Sequence, residues 1–353
     1  MKYLIVQDWP NTRGNHAGME HMCDMLVERW PDTYIKICKS LPLPQKNISN
    51  FILRKLFGKL ERYYRSIKWD KEYLKLCKPM FENLKSGDEV FLLEYNWPAT
   101  SQLCIAKYIR KNFAGVKIHA LSHITPTAFM KMKADKLIKS WSEYVDTELT
   151  LGSSLSVYFE GCGIPRSKIS TGFHYVDSTY YYPMKTKYNL NEKPTVIAIG
   201  ALQRDFKMLA DIANSVPETN WIICKGKKDV DHLFHGENIK MVGYVPEDEL
   251  RELMRQSDIS INILEDTVGS NVITTSMAMG LALIVSDVGS IRDYVDEKCA
   301  IFCPNNVSDF IEAIKSISEK PDRIEEMRDS ALLRVDNITI ARIHEWFSSL
   351  KNL

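Results

Sequence analysis

The sequence has no long apolar run, no CxxC motif and almost no net charge. A membrane-spanning helix needs about 20 consecutive apolar residues, and no stretch of the 353 residues approaches that length. The eight cysteines form no CxxC pair, so we expect reduced, mostly buried thiols in a cytoplasmic protein. The N-terminus has only a short apolar stretch before Gln7 and Asp8, which indicates a first β-strand rather than a secretory signal.

The formal net charge of +1 conceals an uneven distribution of charge along the chain. Residues 1–180 carry 26 basic and 18 acidic side chains, whereas residues 181–353 carry 20 and 27. Such a split indicates two halves that face different partners, and a basic half suits an anionic surface or a phosphorylated substrate. The chain contains no nucleic-acid-binding motif, so no nucleic acid partner is expected.

Composition and periodicity together predict the fold class. Apolar residues make up 45% of the chain and charged residues 26%, which is typical of soluble globular domains and excludes disorder and coiled coil. At about 100–200 residues per domain, the length predicts two domains. Short apolar runs alternate with stretches of helical periodicity, which predicts parallel sheets with helices on both faces. The fold class is therefore α/β, with two doubly wound, Rossmann-like domains.

The predicted elements recur in both halves, and the polar, aromatic stretch at residues 178–194 predicts the join between them. Because ligands of open α/β sheets bind beyond the carboxyl ends of the strands, the two domains are expected to share a cleft. Strands are predicted at residues 3–6, 34–37, 89–93, 116–121, 149–151, 195–199, 221–225, 239–242, 259–263, 283–286 and 300–302. Helices are predicted at residues 19–30, 100–112, 207–215, 248–256, 272–279 and 307–318.

The segment at residues 51–78 departs from this alternation. It carries nine Lys and Arg residues against three acids, with aromatic and aliphatic side chains between them. A basic, aromatic, amphipathic helix can lie on an anionic membrane surface, so peripheral membrane contact is one interpretation. The alternative is one or two helices packed on the first sheet, with their lysines simply solvated.

Two glycine-containing turns between a strand and a helix are candidate anion sites, because a helix N-terminus offers unpaired N–H groups and a partial positive charge. In the first turn, Gly14 and Gly18 would let the backbone approach a ligand closely. In the second, Asn271 is the predicted N-cap of a helix, and Gly269 and Ser270 would leave amides free for a diphosphate. The alternative for the second turn is an ordinary capped helix start.

A third strand-to-helix turn carries two cations. Arg204 and Lys207 follow the first strand of the second half, after Gly200, so both could reach into the shared cleft. A diphosphate that is bound without a metal ion needs such cations to balance its charge. The alternative is that both are solvated surface charges.

The order and spacing of several stretches resemble a known family. Residues 243–262 (GYVPEDELRELMRQSDISIN) and 269–295 (GSNVITTSMAMGLALIVSDVGSIRDYV) resemble the donor domain of GT-B glycosyltransferases, specifically the retaining enzymes of glycosyltransferase family 4. Residues 171–183 (TGFHYVDSTYYYP) are similar to the stretch that leads into the family's interdomain linker. Residues 338–350 (ITIARIHEWFSSL) are similar to its final helix, and the resemblance is firmest over residues 193–347.

The resemblance implies a GT-B architecture with two domains facing a cleft. It implies an acceptor-binding domain at residues 1–177, a nucleotide-sugar-binding domain at residues 178–335, and a C-terminal helix at residues 336–353 that crosses back to the first domain. It also implies that no cofactor is needed, since the nucleotide-diphosphate sugar, UDP- or GDP-linked, is a co-substrate.

The resemblance further implies roles for residues around the donor. Arg204 and Lys207 would hold the diphosphate, aided by the amides of Gly269, Ser270 and Asn271. The nucleotide base would lie against the loop that begins with Tyr244 and Val245.

On the side of the cleft that would hold the sugars, the resemblance points to histidines. His123, which follows the predicted strand at residues 116–121, matches the histidine of the family that meets the donor sugar, and His174 near the hinge is a second candidate. A structural hydrogen-bonding role is the alternative for both. Glu94 could orient an acceptor hydroxyl, or it could be a surface residue.

The chain departs from the family at two positions. The family carries two glutamates eight positions apart around the late turn, and here those positions hold Thr267 and Thr275. Threonine can hydrogen-bond a hydroxyl, but it lacks the charge-assisted strength of a carboxylate. Glu265 and Asp266 lie just upstream and could substitute if the loop is shifted.

These observations predict a glycosyltransferase that transfers a sugar to a glycan or a lipid-linked acceptor in cell-surface polysaccharide biosynthesis. The transfer would retain configuration, and fixed cations and amides would stabilise the leaving diphosphate. No metal site is predicted, because the HxxH of His232 and His235 lacks a third ligand. The protein would be cytoplasmic, with peripheral contact at the inner membrane face. The alternatives are a nucleotide-sugar epimerase of the same architecture and a non-catalytic sugar-nucleotide or glycan-binding protein.

Overall fold

The computed structural model describes residues 1–9, 13–39, 68–96, 102–184, 193–200 and 204–350. These residues form two units, each built on a six-stranded parallel sheet with helices packed around it. The predicted α/β class with two doubly wound units is therefore confirmed. Residues 51–67 of the basic segment lie outside the described ranges, so its contact with a membrane stays a prediction.

The first unit has the strand order β2-β1-β3-β4-β5-β6. Its strands are β1 (Lys2–Gln7), β2 (Tyr34–Lys39), β3 (Glu89–Leu92), β4 (Lys117–Ser122), β5 (Thr147–Thr150) and β6 (Ile169–Thr171). Its helices are α1 (Met19–Arg29), α2 (residues 68–77), α3 (Gln102–Asn112), α4 (Pro126–Met132), α5 (Asp135–Ser142) and α6 (Ser153–Gly161).

The second unit has the strand order β12-β11-β10-β7-β8-β9. Strands β7 and β10 are neighbours at its centre, and the strands that follow each of them are added outward in opposite directions. Its strands are β7 (Thr195–Ile199), β8 (Asn220–Cys224), β9 (Ile239–Val242), β10 (Ile259–Asn262), β11 (Ala282–Ser286) and β12 (Ala300–Cys303). The helices that follow are α7 (Phe206–Asn214), α8 (Glu247–Arg255), α9 (Asn271–Ala278), α10 (Ile291–Tyr294), α11 (Val307–Ser318), α12 (Pro321–Val335) and α13 (Ile340–Ser349).

The strands form where the sequence can be buried on both faces of a sheet. Parallel sheets are covered by helices on each side, so their strands are nearly continuous apolar runs. All five residues of β11 are buried, for example, and so are four of the five in β7. The eleven predicted strands are all present, with ends within two residues of the predicted ones. The sequence did not predict β6, because a strand of three residues with one apolar side chain carries no periodicity.

The last helix, α13, packs on the sheet of the first unit. Ile343 and Phe347 are buried in a cluster with Leu4 and Phe91. The ammonium group of Lys2 donates a hydrogen bond to the carbonyl of Phe347 at 2.8 Å. The final helix therefore contacts the first unit, as the family resemblance implied. The proposed boundaries at residues 177 and 335 stay predictions.

Carboxylates of the second unit bind backbone amides at the helix starts of the first. Asp266 accepts a hydrogen bond from the amide of Thr127 in α4 at 3.0 Å, and Asp293 accepts one from the amide of Ser153 in α6 at 2.5 Å. A carboxylate is stabilised there by unpaired N–H groups and by the helix dipole. Acids of the second unit thus help to hold the two units together through helix N-termini of the first.

The centre of β5 holds a carboxyl group with no solvent exposure, Glu148. Burial raises its pKa from the ordinary 4.5 to about 8, against the opposing influence of Ser142 and Lys168. The folded protein therefore keeps a proton on Glu148 at pH 5–7, where the unfolded chain has lost it. The stabilising contribution of Glu148 to the free energy of unfolding is therefore fully present below about pH 4.5 and is lost as the pH rises through about 8.

We expect Glu148→Gln to remove that pH dependence, because the amide is neutral at every pH. Relative to its own value at pH 5, the free energy of unfolding at pH 8 should be a few kcal/mol higher in the variant than in the wild type, at about 1.4 kcal/mol per pKa unit. Chemical denaturation at a series of pH values measures this difference. Glu143→Gln, at an exposed position, is the control. Parallel profiles for wild type and Glu148→Gln would contradict the prediction.

Candidate active site

A cleft with a volume of about 250 Å³ lies at the carboxyl edge of the second sheet, beside the loop that precedes α1 of the first unit. The ends of β7, β8 and β9 form its floor, and the first turns of α8 and α9 form its sides. It is lined by Asn15, Ala17, Tyr181, Ile199, Gly200, Cys224, Gly226, Gly243, Tyr244, Val245, Glu247, Leu250, Met254, Asn271, Val272 and Thr275.

Four residues predicted to contact the donor come together in this cleft: Tyr244, Val245, Asn271 and Thr275. The Tyr244 side chain is 62% exposed, and the ammonium group of Lys227 lies 5.5 Å from the centre of its ring. An exposed ring at the mouth of a cleft offers a flat surface for a ligand.

Arg204 lies at the point where the strand order of the second sheet reverses. Its Nε donates to the carbonyl of Ile199 at the end of β7 at 3.1 Å, and its terminal nitrogen donates to Oδ1 of Asn262 at the end of β10 at 3.3 Å. Ligands of open α/β sheets bind outside the strand ends at such a switch point. Burial lowers the pKa of Arg204 to about 10, so the guanidinium stays charged at neutral pH.

The guanidinium of Arg204 lies behind Gly200 rather than on the wall of the cleft. It borders a small adjoining cavity of about 10 Å³ that shares Ile199 and Gly200 with the cleft. Gly200 has a φ of +100°, and a Cβ there would lie 3.6 Å from the guanidinium, so the glycine is the thin partition between the two spaces. Lys207, the second residue of α7, is exposed and lines neither space.

The late turn differs in detail from the prediction. The N-cap of α9 is Ser270 and not Asn271, whose side-chain amide instead donates to the carbonyl of Ala17 across the cleft at 2.9 Å. The Gly269 amide donates to Oγ1 of Thr267 at 3.1 Å, so it is not free as expected. The turn thus satisfies part of its own hydrogen-bonding capacity.

The two threonines that replace the family's glutamates have different surroundings. Thr275 lines the cleft, but its hydroxyl donates to the carbonyl of Asn271 in its own helix at 2.7 Å. Thr267 is 5% exposed. The nearby acids face the first unit: Glu265 pairs with Lys131 at 3.2 Å, and Asp266 binds α4. Neither acid lines the cleft.

The two candidate histidines face one another at the junction of the units. The rings of His123 and His174 are edge-to-face with centres 6.4 Å apart. Burial lowers the pKa of His123, and burial together with the neighbouring His123 lowers that of His174 to about 4. Both rings are therefore neutral at pH 7. Since the carbonyl of Leu93 can only accept, the Nε2 of His123, 2.7 Å away, is the protonated nitrogen.

Glu94 lies two residues beyond the end of β3. Its carboxylate accepts hydrogen bonds from the indole of Trp9 at 2.6 Å and the amide of Gln7 at 3.1 Å. Burial raises its pKa to about 7 in spite of these two donors. It therefore changes protonation state near neutral pH, as an acid or base in a site can do.

Gly14 and Gly18 frame the loop that faces the cleft. Gly14 has a φ of +78°, and Gly18 is the N-cap of α1. The two glycines do not themselves line the cleft, but Asn15 and Ala17 between them do. The first unit therefore contributes Asn15 and Ala17 to the cleft, and not the predicted Gly14 and Gly18.

Residues 193–320 match the family described as Glycosyl transferases group 1. The whole chain superposes on sucrose-phosphate synthase from Thermosynechococcus elongatus with a TM-score of 0.74 and 11% identity, over 100% of both chains. The chain has the GT-B fold, and its second unit is similar to the group 1 glycosyltransferases.

Two further solved structures share this fold with the chain. Anabaena HepE in complex with UDP and glucose gives a TM-score of 0.67 at 11% identity, over 100% of both chains. The N-terminal domain of Candida albicans trehalose-6-phosphate phosphatase gives 0.71 at 13% identity, over 98% of this chain and 96% of that one. No curated protein sequence matches the chain. Membership of family 4 stays a prediction.

Glu247 is a charged residue of the cleft that was not predicted from the sequence. Its carboxylate accepts hydrogen bonds from the amides of His16 and Ala17 and from the hydroxyl of Tyr181. The only signal for it was its position directly after the loop that begins with Tyr244. An acid in the first turn of a helix is common for reasons of capping and dipole, so this signal did not single it out.

Beside the cleft, two histidines share one carboxylate oxygen. His16 Nδ1 and His21 Nε2 lie 2.7 and 3.0 Å from Oδ2 of Asp177, and these three side chains are of types that also bind metal ions. Hydrogen bonds from both histidines and from Thr179 hold the pKa of Asp177 well below its usual range, although burial opposes this. The trio fastens α1 to the segment that leads into the second unit. The expectation of a metal-free enzyme stays a prediction.

Proposed function

We propose that the protein is a glycosyltransferase that moves a sugar from a nucleoside-diphosphate sugar to a glycan or a lipid-linked acceptor, with retention of configuration and without a metal ion. The observation that carries the proposal is the cleft at the switch point of the second sheet, with the half-buried guanidinium of Arg204 behind its floor. Ligands of this fold class bind at that position. A nucleotide fits a cleft that combines an exposed aromatic ring, apolar side chains and a helix N-terminus.

In this proposal the diphosphate lies near Gly200, between Arg204 and the start of α9. Arg204 is held by two strand ends, so its charge is fixed before the substrate arrives. The amides of Ser270 and Asn271 belong to a helix start and add partial positive charge. Such a preorganised site stabilises the leaving diphosphate without reorganisation of solvent.

The transfer exchanges one bond at the anomeric carbon for another. The bond from that carbon to the diphosphate oxygen breaks, and the acceptor oxygen forms its new bond on the same face. The acceptor proton passes to the leaving oxygen. His123, held neutral and anchored on Leu93, would orient the donor sugar, and Glu94 would orient the acceptor hydroxyl. The enzyme's main contribution is then placement of the two substrates.

The acceptor would lie on the first unit. The first half of the chain has an excess of basic residues, which suits an acceptor carrying phosphate or lying on an anionic membrane. No helix in the described part of the chain has the length and apolarity to cross a membrane. We propose a cytoplasmic enzyme of surface-polysaccharide synthesis that meets the inner membrane face through residues 51–78.

A second candidate is a non-catalytic protein that binds a sugar nucleotide. It is favoured by Thr275, whose hydroxyl is engaged by its own helix and supplies no negative charge to the cleft. Release of nucleoside diphosphate from a donor sugar, in the presence of a mixture of acceptors, separates the enzyme from the binder.

The experiment that tests the donor site is a thermal-shift series with UDP, GDP, ADP and CMP, each with and without magnesium. A ligand at 100 times its dissociation constant should add about 2.7 kcal/mol to the stability of the folded state, which is a shift of several degrees. We expect one nucleoside diphosphate to raise the unfolding temperature selectively and without magnesium. No rise with any nucleotide would contradict a functional donor site.

A further inference from the structure

Among the described residues that line the cleft, Glu247 is the one acidic side chain. It is the first residue of α8, and it follows directly on the loop of Tyr244 and Val245 against which the base of the donor is expected. The other lining residues are neutral. A single carboxylate in an otherwise neutral cleft discriminates between ligands by their hydrogen-bond donors, because an ionised carboxylate accepts hydrogen bonds and does not donate them.

The carboxylate of Glu247 already holds two neighbouring N–H groups, one on each oxygen. Oε2 accepts from the amide of His16 at 2.9 Å, and Oε1 accepts from the amide of Ala17 at 3.3 Å. The hydroxyl of Tyr181 donates to Oε1 at 2.6 Å and fixes the orientation of the group. His16 and Ala17 belong to the first unit, so a movement of the two units apart would withdraw both amides and leave a pair of aligned acceptors.

The four common bases differ in what they offer to such a pair. Guanine presents N1–H and N2–H side by side, which are two adjacent donors. Uracil presents a single N3–H between two carbonyl oxygens, so a carboxylate that binds the N–H is forced against an acceptor. Adenine and cytosine place one amino donor beside a ring nitrogen that accepts. Guanine is therefore the base whose edge satisfies both oxygens of a carboxylate.

We infer that Glu247 reads the base of the donor nucleotide and selects guanine, so that the donor is a GDP-linked sugar. This inference rests on the proposed function, since it assumes a nucleotide in the cleft. In the closed arrangement the amides of His16 and Ala17 occupy the place of the guanine edge. Binding of the nucleotide exchanges these two donors for N1–H and N2–H of the base.

The test compares the affinities of GDP and UDP for the full chain, measured by isothermal titration calorimetry. We expect the wild type to bind GDP at least tenfold more tightly than UDP, which is the scale of discrimination for a paired polar contact. Glu247→Gln offers one acceptor and one donor, so it should lose most of this ratio and bind UDP as well as or better than the wild type. Glu249→Gln, an exposed acid in the same helix, should keep the ratio.

The ratio is the readout because Glu247 also links the two units. A purely structural loss would weaken both nucleotides alike and leave the ratio unchanged, and that result would overturn the inference. Equal or tighter binding of UDP by the wild type would overturn it as well, while the proposed function stands. If the wild type binds neither nucleotide, both the inference and the proposed donor site are wrong. If Glu247→Gln does not fold, Glu247→Asp, which withdraws the carboxylate by one methylene, should show a reduced ratio.

Discussion

Arg204→Ala is expected to lower sugar transfer by at least about 100-fold, and to weaken binding of the nucleoside diphosphate, while the protein stays folded. Negative charge develops on the diphosphate as its bond to the sugar breaks, and a fixed charge nearby stabilises that state more than the bound substrate. Removal of one such preorganised group commonly costs two to three orders of magnitude in turnover, or about 3–4 kcal/mol. Release of nucleoside diphosphate from the donor sugar measures this loss.

Two variants make the Arg204 result specific. Arg204→Lys keeps the positive charge but not the planar fork that spans Ile199 and Asn262, so it should recover only part of the activity. Arg323→Ala removes an arginine from the surface of the same unit and should leave turnover unchanged. Wild-type turnover or unchanged nucleotide affinity in a folded Arg204→Ala protein would exclude this residue from the donor site.

The position of Arg204 was predictable, whereas its mode of action was not. A basic residue a few positions after a buried strand must lie at the carboxyl edge of the sheet, which is a consequence of local sequence alone. That it bridges β7 and β10 depends on which strands are neighbours, and Asn262 lies 58 residues away along the chain. The separation of the Arg204 guanidinium from the cleft by Gly200 likewise depends on how the Arg204 side chain packs in the folded protein.

The strands were predicted better than the helix starts. A buried parallel strand such as β11 is apolar in four of its five residues, so its position follows from hydropathy. A helix start depends on which of several adjacent polar residues takes the extended conformation, and here Ser270 does so instead of Asn271. The expectation of free, mostly buried cysteines is also met, because all eight are free and five are buried. Like the strand positions, this expectation came from the residue types alone.

The contacts between the units could not be predicted from the sequence. Asp293 and Glu247 are 140 and more than 200 residues from the amides they bind, and both resemble ordinary surface acids of a helix start. What the sequence did contain was the charge asymmetry of the two halves. The structure gives that asymmetry a physical role: acids of one unit satisfy helix N-termini of the other.

Tyr294 explains why the late turn requires glycine at position 269. The Tyr294 hydroxyl accepts a hydrogen bond from the amide of His174 at 2.8 Å and donates one to the carbonyl of Leu151, so the ring cannot move without breaking contacts between the units. A Cβ on Gly269 would lie 2.2 Å from this hydroxyl, and the φ of +122° is itself unfavourable for any other residue.

Gly269→Ala should therefore cost about 3 kcal/mol in the free energy of unfolding, from backbone strain and overpacking together. It should also weaken nucleotide binding, because relief of the clash displaces the turn that leads into α9. Denaturation in urea and a titration with the preferred nucleoside diphosphate measure the two effects.

Gly161→Ala is the matched control for this substitution. Gly161 ends α6, and a Cβ there would meet no atom within 4 Å, so alanine should be neutral or slightly stabilising in a helical position. If Gly269→Ala is as stable as Gly161→Ala and binds nucleotide normally, the turn tolerates a side chain and the constraint attributed to Tyr294 does not exist. If only Gly269→Ala loses stability and affinity together, the junction of the two units and the donor site share this one turn.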